Sequence, residues 1–233
     1  MQRITAQPAG EDQTTARGRR MSFMGKQKFH SLYGQLMERP RLRSAFQRVR
    51  ANGGAAGSDG MTIAAFEEDL EHQFTQLIGE LRAKVYHPQP IRRVEIAKRS
   101  GGKRTLGIPA IRDRVLQETL RDILEKIFEP HFSAHSHGFR PKKGCFTALR
   151  DLFIQVRAGG IYIVDVDVEK CFDTIPHDPL IRAIREEVSD RSVLQLIRLL
   201  LTAPRKEGYR YVRANAGTPQ GSPLSPLLAN IYL

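Results

Sequence analysis

A chain of 233 residues is long enough for one sizeable domain or two small ones. Its formal charge of +12, from 37 Lys and Arg against 25 Asp and Glu, points to a polyanionic partner, nucleic acid before membrane. No run approaches the ~20 apolar residues of a membrane span, and the polar N-terminus lacks the apolar core of a secretory signal. Cys145 and Cys171 are too few for a disulfide scaffold and not spaced for zinc, so a reducing cytoplasm is the simplest setting.

Residues 1–25 are polar and without periodicity and read as a flexible basic tail. A helical rhythm follows, in Phe29, Leu32, Tyr33, Leu36 and then Leu42, Ala45, Phe46, Val49, interrupted at Arg39-Pro40. Residues 52–60, NGGAAGSDG, form a Gly-rich loop without the Lys-Ser/Thr ending of a P-loop. Residues 62–85 predict one helix, with Ile63, Phe66, Leu70, Phe74, Leu77, Ile78, Leu81 and Val85 on a single face. After the break at His87-Pro88-Gln89-Pro90, residues 91–108 alternate around Gly101-Gly102 as a β-hairpin. Its tip carries Lys98, Arg99, Lys103 and Arg104, which suits either edge protection by charge or a triphosphate.

Residues 111–128 predict an amphipathic helix with Val115, Leu116, Leu120, Ile123, Leu124 and Ile127 inward. Next, His131, His135 and His137 have no Cys or carboxylate partner at ligand spacing and do not predict a metal centre. Arg140, Lys142 and Lys143 interleaved with Phe139 read better as a surface for a nucleic-acid backbone and its bases. In residues 161–177, IYIVDVDVEKCFDTIPH, an apolar strand is expected, with Asp165 and Asp167 projecting to one side. Such carboxylates either hold a divalent ion or reach solvent at the strand's end. Asp178-Pro179 is a helix start, with Asp178 as the N-cap. A second apolar helix follows with Val193, Leu194, Ile197, Leu200 and Leu201. Residues 207–214 then suggest a strand pair, GTPQGSPLSP a turn-rich loop, and Leu224, Leu227, Leu228 and Ile231 the start of a helix.

The order of these motifs resembles a group II intron-type reverse transcriptase/maturase. NGGAAGSDGMT is similar to the segment preceding the fingers, and IRRVEIAK with GGKRTLGIP to the fingertip hairpin. IRDRVLQ and HSHGFRPKKG resemble the next block, YIVDVDVEKCFDTIPH the first palm motif, and GTPQGSPLSPLLANIYL the Pro-Gln-Gly block. The resemblance runs over roughly residues 26–233, with two departures: Ala97 for a usual proline and His137 for a usual tyrosine.

The resemblance implies an α+β, right-hand fold, with helical fingers and a β-hairpin over residues 26–160 and an incomplete palm over residues 161–233. It implies a metal site of Asp167 and the Val168 carbonyl, with Asp167 catalytic, Mg²⁺ as cofactor, and Asp165 as a neighbour of that site. It places Phe172 against the ribose 2′ position, Gln220 beside the incoming nucleotide, and Lys98 and Arg104 on its triphosphate. Asp173 and His177 are expected to order the turn into the next helix. The implied partners are an RNA template or intron RNA, a DNA primer and a deoxynucleoside triphosphate. The family's Tyr-x-Asp-Asp hairpin, thumb and maturase region are missing, and Asp-Asp occurs nowhere in the chain. The chain alone is therefore expected not to polymerise, to leave the strand over residues 161–168 with an unpaired edge and the helix from Leu224 partly uncovered, and to be poorly soluble. The alternative is a non-catalytic, intron-RNA-binding splicing factor of the maturase type.

Overall fold

The structure, a computed structural model, describes residues 28–97, 101–207, 210–219 and 221–233. The expected basic tail, Lys98 and Gln220 lie outside the described residues. A short 3₁₀ turn at Tyr33–Met37 precedes α1 (Arg39–Asn52), α2 (Ile63–Glu68) and α3 (Leu70–Ala83). The hairpin β1 (Ile91–Ala97) and β2 (Lys103–Ile108) leads into α4 (Ile111–Phe128) and α5 (Cys145–Arg157). Then come α6 (Cys171–Thr174), α7 (His177–Glu187), α8 (Arg191–Leu201), β3 (Arg205–Glu207), β4 (Arg210–Val212) and α9 (Ser225–Tyr232).

Helix α4 is the axis of the fold. An amphipathic helix buries one stripe, whereas α4 is buried almost all round through its first three turns, as a helix enclosed by others must be. Its apolar side packs on Leu42, Ala45, Phe46 and Val49 of α1 in a core continuous with α7, α8 and α9. Its buried polar residues each meet a partner, as burial demands. Glu118 accepts from Arg48 Nε at 2.6 Å, and Gln117 Oε1 accepts from Ser222 Oγ at 2.9 Å. Arg114 donates to Pro109 O at 2.9 Å and also to Ala55 O, which ties the Gly-rich loop to the end of the hairpin.

Asp113 is the buried carboxylate of this set. It accepts from Tyr86 Oη at 2.7 Å and from Gln89 N at 2.8 Å, and so anchors the segment that enters β1. Burial raises its pKa to about 6, against the lowering by those two bonds and by Arg112, while Asp59 adds to the rise. The folded protein thus holds this proton where the unfolded chain has lost it, so stability from the group is fully present below pH ~4 and declines as pH rises through ~6. The expected result is that the melting temperature of the wild type, relative to Asp113→Asn, rises as pH is lowered from 7 to 4.5. A difference that is flat across that interval would exclude this account.

One side chain closes the N-terminal region onto the other end of the chain. Asp190 caps α8, its Oδ1 accepting from Ser192 N at 3.0 Å and Val193 N at 3.3 Å. Its Oδ2 accepts from Leu32 N at 2.8 Å and Tyr33 N at 2.9 Å, serving the 3₁₀ turn as well. Asp190→Ala leaves four backbone donors without this acceptor and is expected to cost about 2–4 kcal/mol in denaturant unfolding, more than a single lost cap.

The hairpin forms as expected, and its register sets Arg92 opposite Ile108 and Ala97 opposite Lys103. The strand pair near residue 210 joins it: β3 runs parallel to β1 and antiparallel to β4, giving the order β2-β1-β3-β4.

Three expectations are corrected. Residues 62–85 are not one helix but two, broken at Asp69. Phe66 and Phe74 would be ~12 Å apart along a straight helix, yet their ring centroids lie 6.4 Å apart, and Phe66 stacks on Phe46 at 5.4 Å. The break brings both rings into one cluster. Helix α7 begins at His177, so Asp178 lies in its first turn rather than at the N-cap, and its carboxylate meets Arg198 at 2.5 Å. The helix from Leu224 buries Leu224, Leu227, Leu228 and Ala229 and leaves Tyr232 and Leu233 exposed, so it is partly uncovered, as expected.

The largest correction is the strand expected over residues 161–168. It pairs with no other segment among the described residues, and its apolar side chains are 53–90% exposed. A strand is stable only when neighbouring strands satisfy its N–H and C=O groups and a layer covers its apolar face. Neither condition is met here, so the alternation remains without a ladder. Phe146, Leu149 and Phe153 of α5 are exposed as well. No helix of the described residues is long and apolar enough to cross a membrane.

Candidate nucleotide site

The turn-rich loop near residue 220 is hooked onto the turn that carries Phe172. Thr218 N donates to Phe172 O and Gly217 N to Ile175 O, each at 2.7 Å, and Pro176 bridges Ala216 in antiparallel fashion. Buried His177 completes the hook by donating from Nε2 to Gly217 O at 2.8 Å, which is the turn-ordering role expected of it. The close approach dictates the residue type: a Cβ on Gly217 would lie 2.6 Å from Asp173 O, and φ there is +83°. Ser225 Oγ donates to Pro219 O at 2.8 Å and pins the loop to the start of α9.

The same loop also touches the hairpin. A Cβ on Gly221 would lie 2.4 Å from Gly107 O of β2. Three motifs far apart in sequence, the hairpin, the Phe172 turn and the Pro-Gln-Gly loop, therefore meet at one place. Between them is a small cleft of about 40 Å³, lined by Arg93, Arg205, Thr105, Asp173, Thr218 and Pro219. Arg93 and Arg205 were not singled out by the sequence. Their common signal is the pairing of β1 with β3, which brings them to one side of the sheet.

The other candidates fall as follows. Asp167 and Asp165 lie exposed on the unpaired segment, with Val168 beside them. Among the described residues no group of three or more His, Cys, Asp or Glu could hold a metal ion. Asp167 and the Val168 carbonyl offer two oxygen donors, a fraction of the six that an octahedral ion takes. These residues fit part of a metal site and not a whole one. Of Arg104 the backbone is described, within β2.

Phe172 packs against the core and meets Phe139 edge-on, with ring centroids 6.0 Å apart and planes at 84°. Arg140 does not face solvent. Its guanidinium is buried on the Glu129 carboxylate at 2.8 Å and on the carbonyls of Ser133 and Ser136, which leaves it no donor for a phosphate. Lys143 donates to Ala134 O and is half-buried, while Lys142 is exposed. His137 bridges Thr147 at 2.8 Å and Asp151 at 3.1 Å, which fastens this loop to α5.

Beside the small cleft opens a larger one of about 730 Å³ between the Gly-rich loop, β2, α4 and α9. Arg48, Arg114 and Arg121 line it together with Glu118, Glu125 and the exposed ring of Phe139. The volume falls within the range of ligand-binding clefts.

A family model for reverse transcriptase (RNA-dependent DNA polymerase) matches residues 96–233, which include the hairpin turn, the Phe172 turn and the Pro-Gln-Gly loop. The chain belongs to the reverse transcriptase family, whose members act on nucleic acid with the help of divalent metal ions. Within it, several of the relatives are named for introns. The group II intron-encoded protein LtrA of Lactococcus lactis subsp. cremoris is 40% identical over 206 residues, covering 88% of this chain and 34% of LtrA. An uncharacterized 91 kDa protein in the cob intron of Schizosaccharomyces pombe is 39% identical over 205 residues, 85% of this chain and 24% of that protein. The chain thus spans about a third or less of the length of these curated relatives. Among solved structures, a chain of a partial Cas6-RT-Cas1–Cas2 complex superposes with a TM-score of 0.59 at 22% identity, over 86% of this chain and 33% of that one, which shows the shared fold.

Proposed function

We propose that this chain forms the fingers and part of the palm of a group II intron-encoded RNA-directed DNA polymerase. The observation that carries this is the junction of hairpin, Phe172 turn and Pro-Gln-Gly loop, held by the two 2.7 Å bonds to Phe172 O and Ile175 O. In this reading the incoming deoxynucleoside triphosphate lies across the junction. Phe172 excludes a ribose 2′-hydroxyl, Gln220 lies alongside the nucleotide, and Lys98 and Arg104 neutralise its phosphates, aided by Arg93 and Arg205. Asp167 and the Val168 carbonyl would hold Mg²⁺, which when bound neutralises charge developing at the transferred phosphoryl group. The primer's 3′-hydroxyl is the nucleophile and pyrophosphate leaves. The residues of this chain supply positioning, which is most of what phosphoryl transfer asks of a protein. The cleft of about 730 Å³ gives an RNA template a path past Arg48 and Arg121, and the net charge of +12 favours binding without base readout.

The 233-residue chain by itself is expected to show no Asp167-dependent DNA synthesis with Mg²⁺, because among the described residues no group of three or more His, Cys, Asp or Glu that could hold a metal ion is present. Primer extension by the isolated chain that is lost in Asp167→Asn would overturn this.

A second reading, a maturase-type factor that grips intron RNA, is favoured by the exposed Lys142 at the edge of the His137 loop, beside half-buried Lys143, and by the same net charge. RNA affinity falling steeply between 50 and 200 mM salt, in a chain that extends no primer, would select it. Both readings place the protein in the cytoplasm, with Cys145 and Cys171 as free thiols.

A further inference from the structure

We propose that Phe139 is a positioning residue for nucleotide selection: its ring fixes the ring of Phe172 and thereby sets the preference for deoxyribose over ribose. The inference rests on the assignment of Phe172 to the sugar, made above, and adds a residue that determines how strictly that gate is held.

Three observations converge on Phe139. The residue is 69% exposed on the wall of the large cleft, so its contribution to the core is small, yet its ring meets that of Phe172 with centroids 6.0 Å apart and planes at 84°. Its backbone is left-handed, at φ +54°, a conformation that residues with a side chain rarely adopt. Both neighbours are clamped. Asn230 Nδ2 of α9 donates to Gly138 O at 2.9 Å, and Arg140 is locked on Glu129 and two carbonyls. A strained, exposed aromatic residue bracketed by fixed neighbours is a side chain held in place for a purpose.

The contact explains that purpose. The backbone of Phe172 is fixed through its carbonyl, which accepts from Thr218 N at 2.7 Å, and one part of its ring packs on the core. A hydrogen bond to the backbone does not set the ring's own torsion, which is broad for aromatic side chains. The ring of Phe139, nearly perpendicular to that of Phe172, packs against another side of it. Without it the Phe172 ring can tilt away from the sugar, and a shift on the order of 1 Å is enough to admit a hydroxyl.

The test is single-nucleotide primer extension on an RNA template by the full-length protein, with kcat and KM measured separately for dCTP and CTP. Phe139→Ala is expected to reduce the kcat/KM preference for dCTP about tenfold, chiefly through a lower KM for CTP. Phe139→Tyr retains the ring edge and is expected to keep the preference. Phe139→Gly removes the ring and relieves the left-handed backbone, so it is expected to melt at or above the wild-type temperature while losing the preference. A packing role alone predicts the reverse, lowered melting with the preference intact, and that result overturns the proposal. Phe172→Ala separates the two assignments. If it abolishes the preference and Phe139→Ala leaves it unchanged, the role of Phe139 fails alone. If the wild type shows no preference, or Phe172→Ala does not alter it, the assignment of Phe172 fails and that of Phe139 with it.

Discussion

Asp167→Asn in the full-length protein is expected to slow primer extension about a thousandfold, through loss of several kcal/mol of charge stabilisation at roughly 1.4 kcal/mol per decade. The substitution keeps size and shape and removes only the negative charge that a hard divalent ion requires. Asp167 is exposed and outside the core, so the variant should fold and melt as the wild type does. RNA affinity should be unchanged within about twofold, because backbone contacts come from cations rather than from this carboxylate. Asp165→Asn serves as the internal comparison. In the proposed assignment Asp165 is a neighbour rather than a ligand, and its loss should cost about tenfold. Single-turnover rates across a Mg²⁺ titration decide between them. If Asp165→Asn proves the more damaging of the two, the ligand assignment is reversed.

The helices of this fold were legible because their cause is local. The stripe in residues 111–128 is a periodicity in the chain itself, and α4 appears with those bounds. Helix α5 carries the same signal in Phe146, Leu149, Leu152, Phe153 and Val156, at spacings of three and four, but reading residues 131–152 as a basic surface hid it. The strand over residues 161–168 failed for the opposite reason. Its alternation is correct, but a strand is a relation between two segments, and one segment's sequence cannot supply its partner.

The site divides in the same way. The Pro-Gln-Gly motif was visible, but why Gly217 must be glycine was not, since the atom it would strike, Asp173 O, is 44 positions away in the chain. Arg140 illustrates the limit for charges. An arginine in a basic stretch reads as phosphate-facing, and only folding reveals that Glu129 and two carbonyls take its donors. The Phe139–Phe172 contact belongs to this class as well: two rings in separate motifs, joined by the approach of the α5 loop to the Phe172 turn.

Gly217→Ala is expected to destabilise the chain by about 3 kcal/mol, combining a left-handed backbone penalty of about 1–2 kcal/mol with the close approach. A Cβ there would stand 2.6 Å from Asp173 O and 2.9 Å from both its carbonyl carbon and its Cα. All three are backbone atoms, so no side chain can move aside to make room. The segment itself must shift, and that loosens the bonds from Gly217 N to Ile175 O, from Thr218 N to Phe172 O and from His177 to Gly217 O. Each is worth about 1 kcal/mol net, so partial loss of the three accounts for the remainder. Gly102→Ala isolates the close approach: its φ is +80°, nearly the same, yet a Cβ there meets nothing within 4 Å. It should cost the backbone penalty alone, about 1 kcal/mol. Urea midpoints of the two variants measure the difference directly. Equal shifts would mean that backbone conformation, and not the hook onto the Phe172 turn, is what requires glycine at position 217. A larger shift for Gly217→Ala, accompanied by weaker nucleotide discrimination, ties the stability of this loop to the geometry of the proposed sugar gate.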